Sequence, residues 1–120
     1  MKYGVQIDLR YTAEPSFDAA AEVDDVVAHL IDLEDCTPEL LDSTVGMDMN
    51  AQTIEVEVTI EAATAGAALD LAVSVLRSAI HAAGGSTPGW EDEGANLGRI
   101  AFMIDESEGV HVRRLQLATA

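Results

Sequence analysis

Residues 64–90 read TAGAALDLAVSVLRSAIHAAGGSTPGW. Leu69, Ala72, Val73, Leu76, Ala79, Ile80 and Ala83 recur at helical spacing, while Asp70, Ser74, Arg77, Ser78 and His81 form the opposite stripe. The spacing predicts an amphipathic helix with one buried face. Thr64 stands where a hydroxyl can accept from an unpaired first-turn amide, and Gly84-Gly85 stands where a left-handed stop is needed. Thr87-Pro88-Gly89-Trp90 has the residues of a type II turn, with Pro presetting one φ and Gly supplying the positive φ after it. A helix with one apolar face needs a layer to lie on, and the flanking segments supply strands.

Just upstream, Thr53 to Glu61 alternates strictly, with Ile54, Val56, Val58 and Ile60 inward and Glu55, Glu57, Thr59 and Glu61 outward. Val45, Met47 and Met49 alternate in the same way before the reversal at Asn50-Ala51-Gln52, so the pair reads as a hairpin. Tyr3, Val5, Ile7, Leu9 and Tyr11 face one side of an opening strand whose other side carries Lys2, Gly4, Gln6, Asp8 and Arg10. Between them a helix capped by Ser16 runs to about Glu34, with Phe17, Ala20, Val23, Val27 and Leu30 inward and Asp18, Glu22, Asp25, His29 and Asp32 outward. Downstream, Arg99 to Ile104 reads as a strand, 105–109 as a turn and Val110 to Leu117 as a further strand. Its inward parity changes at Arg113-Arg114, the mark of a bulge or bend.

The order β-α-β-β-α-β plus an additional C-terminal strand, joined by right-handed crossovers, predicts an α+β, ferredoxin-like two-layer sandwich with strand order 4-1-3-2. The fifth strand is expected either to continue a hairpin at a sheet edge or to pair with another subunit. One sheet face carries the helices and the other meets water or a partner.

At 120 residues the chain is expected to form one domain, 1–120, large enough to bury about two-thirds of its unfolded surface. Its net charge is −16, and no Lys or Arg stands between Arg10 and Arg77, an interval holding fifteen Asp and Glu. Such a surface argues against direct binding of nucleic acid or anionic membrane, both of which attract basic proteins. The first ten residues interleave polar with apolar side chains, unlike a signal peptide, and a single cysteine, Cys36, suits a reducing compartment, so a cytoplasmic location is expected.

Ser78 to Trp90, SAIHAAGGSTPGW, resembles part of small uncharacterised acidic proteins of actinobacteria and their phages, and the Ala-rich composition is similar to theirs. The resemblance brings no catalytic residue with it. An origin in actinobacteria or in their phages is what it implies.

Three acidic clusters stand at Asp32-Leu33-Glu34-Asp35, Glu91-Asp92-Glu93 and Asp105-Glu106-Ser107-Glu108, and none has the alternating ligand spacing of a calcium loop. His29, His81 and His111 fall on separate elements, and one cysteine cannot complete a zinc site. Gly84-Gly85 and the Gly94–Gly98 segment lack phosphate-loop patterns. No catalytic residue, metal or cofactor is therefore expected. The chain reads as a non-enzymatic acidic interaction module, acting by self-assembly as a homo-oligomer or by binding another protein. The alternatives are a DNA mimic that inhibits a basic, DNA-binding protein and, last, a carboxylate or metal-dependent enzyme. Candidate partner-binding residues are Asp18, Glu22, Asp25 and Asp32 along the first helix, Glu55 and Glu57 on the sheet, and Trp90. A lone Trp in an acidic segment is either a lid over the helix end or an anchor for a partner.

Overall fold

A computed structural model describes residues 1–90, 99–105 and 109–115. The elements are β1 (Lys2–Ala13), α1 (Ala19–Cys36), β2 (Leu40–Asp48), β3 (Thr53–Glu61), α2 (Ala65–Ala82), β4 (Ile100–Ile104) and β5 (Val110–Leu115). The sheet runs β2-β3-β1-β4 with antiparallel neighbours throughout, which is the ferredoxin-like order 4-1-3-2. Every inward residue expected of β1 and β3 is buried, because strict alternation on two central strands leaves one register that hides the apolar set.

β5 does not form the expected hairpin with β4. Both strands pair antiparallel with the same edge of β1, β4 along Leu9–Ala13 and β5 along Lys2–Ile7, so they lie end to end. Asp8 spans the junction, its N–H donating to Gly109 O (3.1 Å) and its carbonyl accepting from Asp105 N–H (2.8 Å). This arrangement sets Val110 and Val112 opposite Ile7 and Val5, on the helix side of the sheet. The register then continues unbroken to Leu115, so the irregularity lies before β5 rather than at Arg113-Arg114. The parity change instead puts Arg114 on the helix side at an exposed end and Leu115 on the open face over Gly4. A Cβ on Gly4 would meet the Leu115 side chain at 3.5 Å. The described part of the last strand stays in its own sheet.

Both helices pack on one side of the sheet, in a single core with β1, β3 and β4. Asp18, not Ser16, caps α1, its Oδ1 accepting from Ala21 N–H at 3.1 Å. Val23 and Leu30 are inward as expected, but Ala19, Glu22 and Val26 complete the buried face in place of Phe17, Ala20 and Val27, which are only half-buried. α2 is capped as expected by Thr64 Oγ1 accepting from Ala67 N–H at 3.1 Å, and Gly84 takes the left-handed stop at φ 97°. Its buried face is rotated slightly, with Ala68 and Val75 replacing Leu69 and Val73, which are half-buried. Five residues of this face, Ala68, Ala72, Leu76, Ala79 and Ile80, have no exposure, and α2 is the one described helix long and apolar enough to cross a membrane, at a mean hydropathy of 1.2. Its place in the core accounts for that composition.

β2 starts earlier than the alternation suggests, at Leu40, and a bulge at Leu41 separates Leu40 from Asp42. It also ends earlier, so Met49 is exposed in the turn rather than inward. There Asp48 Oδ1 accepts from Asn50 and Ala51 N–H (3.0 and 3.1 Å), and Gln52 adopts φ 56°. The Asx turn closes the hairpin one pleat before the apolar pattern runs out.

Candidate functional site

The face of the sheet opposite the helices has no layer over it among the described residues. Its side chains come in rows fixed by the pairing: Leu115, Lys2 and Glu61; then Arg113, Gly4, Thr59 and Asp42; then His111, Gln6, Glu57 and Thr44; then Asp8, Glu55 and Gly46; then Met103, Arg10, Thr53 and Asp48. Across these rows charge is segregated. Among the described residues, the half built by β1, β4 and β5 carries Lys2, Arg10 and Arg113 with His111 and two acids, Asp8 and the junction residue Asp105, which line one hollow with Glu55. The half built by β2 and β3 carries Asp42, Asp48, Glu55, Glu57 and Glu61 and no Lys or Arg.

Local chemistry holds this face open. Arg113 reaches over side-chain-free Gly4 to Glu57, Nη2 to Oε1 at 3.6 Å, and this pair, mostly solvent-exposed, is worth about 0–1 kcal/mol. The Met1 ammonium pairs with Glu61 Oε1 at 3.1 Å. Asp8 and Glu55 stand directly opposite each other, a like-charge pairing that costs stability, and the Gln6 amide donates to both Asp8 oxygens at 3.3 and 3.4 Å. Nothing lies within 4 Å of a Cβ position on Gly46, so a hollow walled by Thr44, Asp48, Glu55 and Glu57 opens in the acidic half.

Glu55 and Glu57, expected as binding acids, therefore do share one surface. The first-helix row does not hold together: Asp18, Asp25 and Asp32 are exposed, but Glu22 is buried against the core. The buried face of α1 is turned from the apolar stripe far enough to carry Glu22 inward beside Val23 and Val26. Asp18 is itself engaged as the cap.

Trp90 covers an edge. After α2, Ser86 adds a parallel bridge to Ala101 on the outer side of β4, with Ser86 N–H donating to Ile100 O (3.1 Å) and Phe102 N–H to Ser86 O (2.8 Å). The type II turn follows, with Gly89 at φ 85° and Trp90 N–H donating to Thr87 O at 3.3 Å. The turn brings the half-buried indole alongside β4, where Nε1–H donates to Phe102 O at 3.0 Å. His81 Nε2 and Thr87 Oγ1, 2.8 Å apart, tie the end of α2 to the same segment. Burial of Ser86 and Thr87 and their use as an edge cover gave no signal in a stretch that reads as irregular loop. The acids Glu91-Asp92-Glu93, residues 94–98 and most of the 105–108 cluster lie outside the described residues.

Cys36 is exposed, its Sγ 3.6 Å from Leu33 O. Among the described residues no group of three or more His, Cys, Asp or Glu is placed to hold a metal ion.

No family model matches the chain, and no curated protein matches it. Among solved structures it is similar to a dimeric ferredoxin-like protein of unknown function from Jannaschia sp. CCS1, at 20% identity over 97% of this chain and 98% of that one, with a TM-score of 0.46. It is also similar to a dimeric ferredoxin-like protein of unknown function from Thermobifida fusca YX, at 15% identity over 68% of this chain and 74% of that one, with a TM-score of 0.38. The ferredoxin-like class itself rests on the chain's own element order and strand order.

Proposed function

We propose that the protein is a non-enzymatic interaction module that works as a homodimer, two copies meeting through their open sheet faces. The observation that carries this reading is the segregation of charge between the two halves of that face. Packed sheets keep their strand directions within about 30° of each other. A two-fold axis parallel to the strands and passing between β1 and β3 satisfies that geometry and exchanges the halves. It lays the partner copy's Lys2 over Glu61 and its Arg113 over Asp42, sets its Arg10 over Thr53 beside Asp48, and opposes acid to acid at Asp8 and Glu55. An axis across the strands would set acid on acid, so one two-fold arrangement is favoured and the other disfavoured.

The size is sufficient. Nine paired residues at about 3.4 Å and four strand positions at about 4.8 Å give roughly 30 by 19 Å per copy, or about 1,100 Å² for two, above the roughly 1,000 Å² that a specific interface needs and just under the range of stable ones. The same side chains suit binding more than catalysis: Thr, Gln, Asp, Glu and Arg stand there without a nucleophile set against a base.

Sedimentation equilibrium tests this. Wild type is expected to be dimeric at micromolar concentration, and Arg113→Glu to weaken association at least tenfold while its circular dichroism stays unchanged. Equal self-association by Arg113→Glu would remove this face as the interface.

A further inference from the structure

Glu22 stands four residues past the cap of α1 and is 7% exposed, and its Oε2 has no hydrogen-bond partner. That oxygen lies 3.3 Å from the point a Cβ on Gly85 would occupy, a point that is also 2.9 Å from Phe102 Cε2 and 3.0 Å from Ile80 Cγ2. The carboxyl thus ends in an apolar seam made by the C-terminal turn of α2 and by β4. Ionised, the carboxylate would hold charge on an oxygen, Oε2, that has lost water and gained no donor, which is costly. Burial pushes its pKa up, the Asp25 carboxylate pushes it further, and His29 pulls it part of the way back. From the facing elements come Ile80, Gly85 and Phe102, and the histidine at the end of α2, His81, is bound to Thr87.

We propose that Glu22 is a proton-operated latch: neutral, it seats the first two turns of α1 on Gly85, Ile80 and Phe102, and ionised, it lifts them off toward water. Ala19 and Val23 are the buried apolar residues these turns contribute besides Glu22, whereas Val26 and Leu30 anchor the turns beyond. Opening there is a local event that leaves the sheet intact. It uncovers the apolar edge of Phe102 and Ile80.

The sign follows from linkage. A carboxyl whose folded pKa is raised adds stability fully below its ordinary value, and that contribution is lost as pH rises through the folded midpoint. The latch is closed on the acid side and opens on the alkaline side.

Carbon-13 titration of the Glu22 carboxyl, with amide hydrogen exchange corrected for intrinsic rates, tests the latch. The midpoint is expected above that of an ordinary glutamate. Protection of the Ala21–Val26 amides should fall about tenfold for each pH unit between the ordinary value and that midpoint. Glu22→Gln should hold protection constant over the same range, and Asp25→Asn should lower the wild-type midpoint. A midpoint at or below the ordinary value, or an equal pH-dependent loss of protection in Glu22→Gln, would overturn the proposal. Wild type and Asp25→Asn decide it alone if Glu22→Gln does not fold.

Discussion

Gly85→Ala should destabilise the protein although its backbone can accept alanine. Only Gly84, Gly89 and Gly109 among the described glycines hold a positive φ, so no conformational strain is added at Gly85. The cost is steric. The new methyl would stand 2.9 Å from Phe102 and 3.0 Å from Ile80, side chains with 1% and no exposure, which have nowhere to move. Overpacking of an enclosed seam costs about 1–3 kcal/mol, which for a domain of this size lowers Tm by roughly 3–6 °C per kcal/mol. Gly46→Ala is the control, because nothing lies within 4 Å of its Cβ position. Loss of unfolded-state freedom there should stabilise by about 0.4–1 kcal/mol. Urea unfolding of both variants gives the two signs directly. A neutral or stabilised Gly85→Ala would refute the close packing of α2, β4 and Glu22.

Val56→Ala, at a 1% exposed position on β3, should cost about 1–3 kcal/mol in urea unfolding through lost burial and a cavity, while Glu57→Gln on the opposite face should change stability by less than about 1 kcal/mol. Raising sodium chloride from low to moderate concentration should raise Tm, since a chain of net charge −16 gains from screening of its own repulsion. A flat melting temperature would show that the acids are already paired.

The strands and helices were legible where one face is strictly apolar. β1, β3 and α2 show period-two or helical patterns, and burial leaves each only one way to sit. Three features were not legible, each for a physical reason. The cap of α1 is Asp18 and not Ser16, and the buried face of the helix lies roughly 80–100° round from the apolar stripe, sharing Val23 and Leu30 with it but taking in Glu22 and Val26. Glu22 consequently read as solvated, since nothing local distinguishes an acid that faces a glycine across the core from one that faces water. The end-to-end placement of β4 and β5 is a long-range pairing decided by β1, whose twelve residues are long enough to hold both. The charge-segregated face was half visible, because Lys2 and Arg10 share a parity with Gln6 and Asp8. Arg113 joins them only through the β5 register.

The face-to-face dimer is tested most directly by mixing two charge-reversed forms. One carries Lys2→Glu, Arg10→Glu and Arg113→Glu, so both of its halves are acidic, and the other carries Asp42→Lys, Asp48→Lys and Glu61→Lys, which gives its acidic half three cations. By sedimentation velocity each alone should be monomeric, while an equimolar mixture should sediment as a heterodimer, since each face then meets its complement. A wild type that stays monomeric at every concentration, or an all-acidic variant that dimerises as well as wild type, would contradict the account.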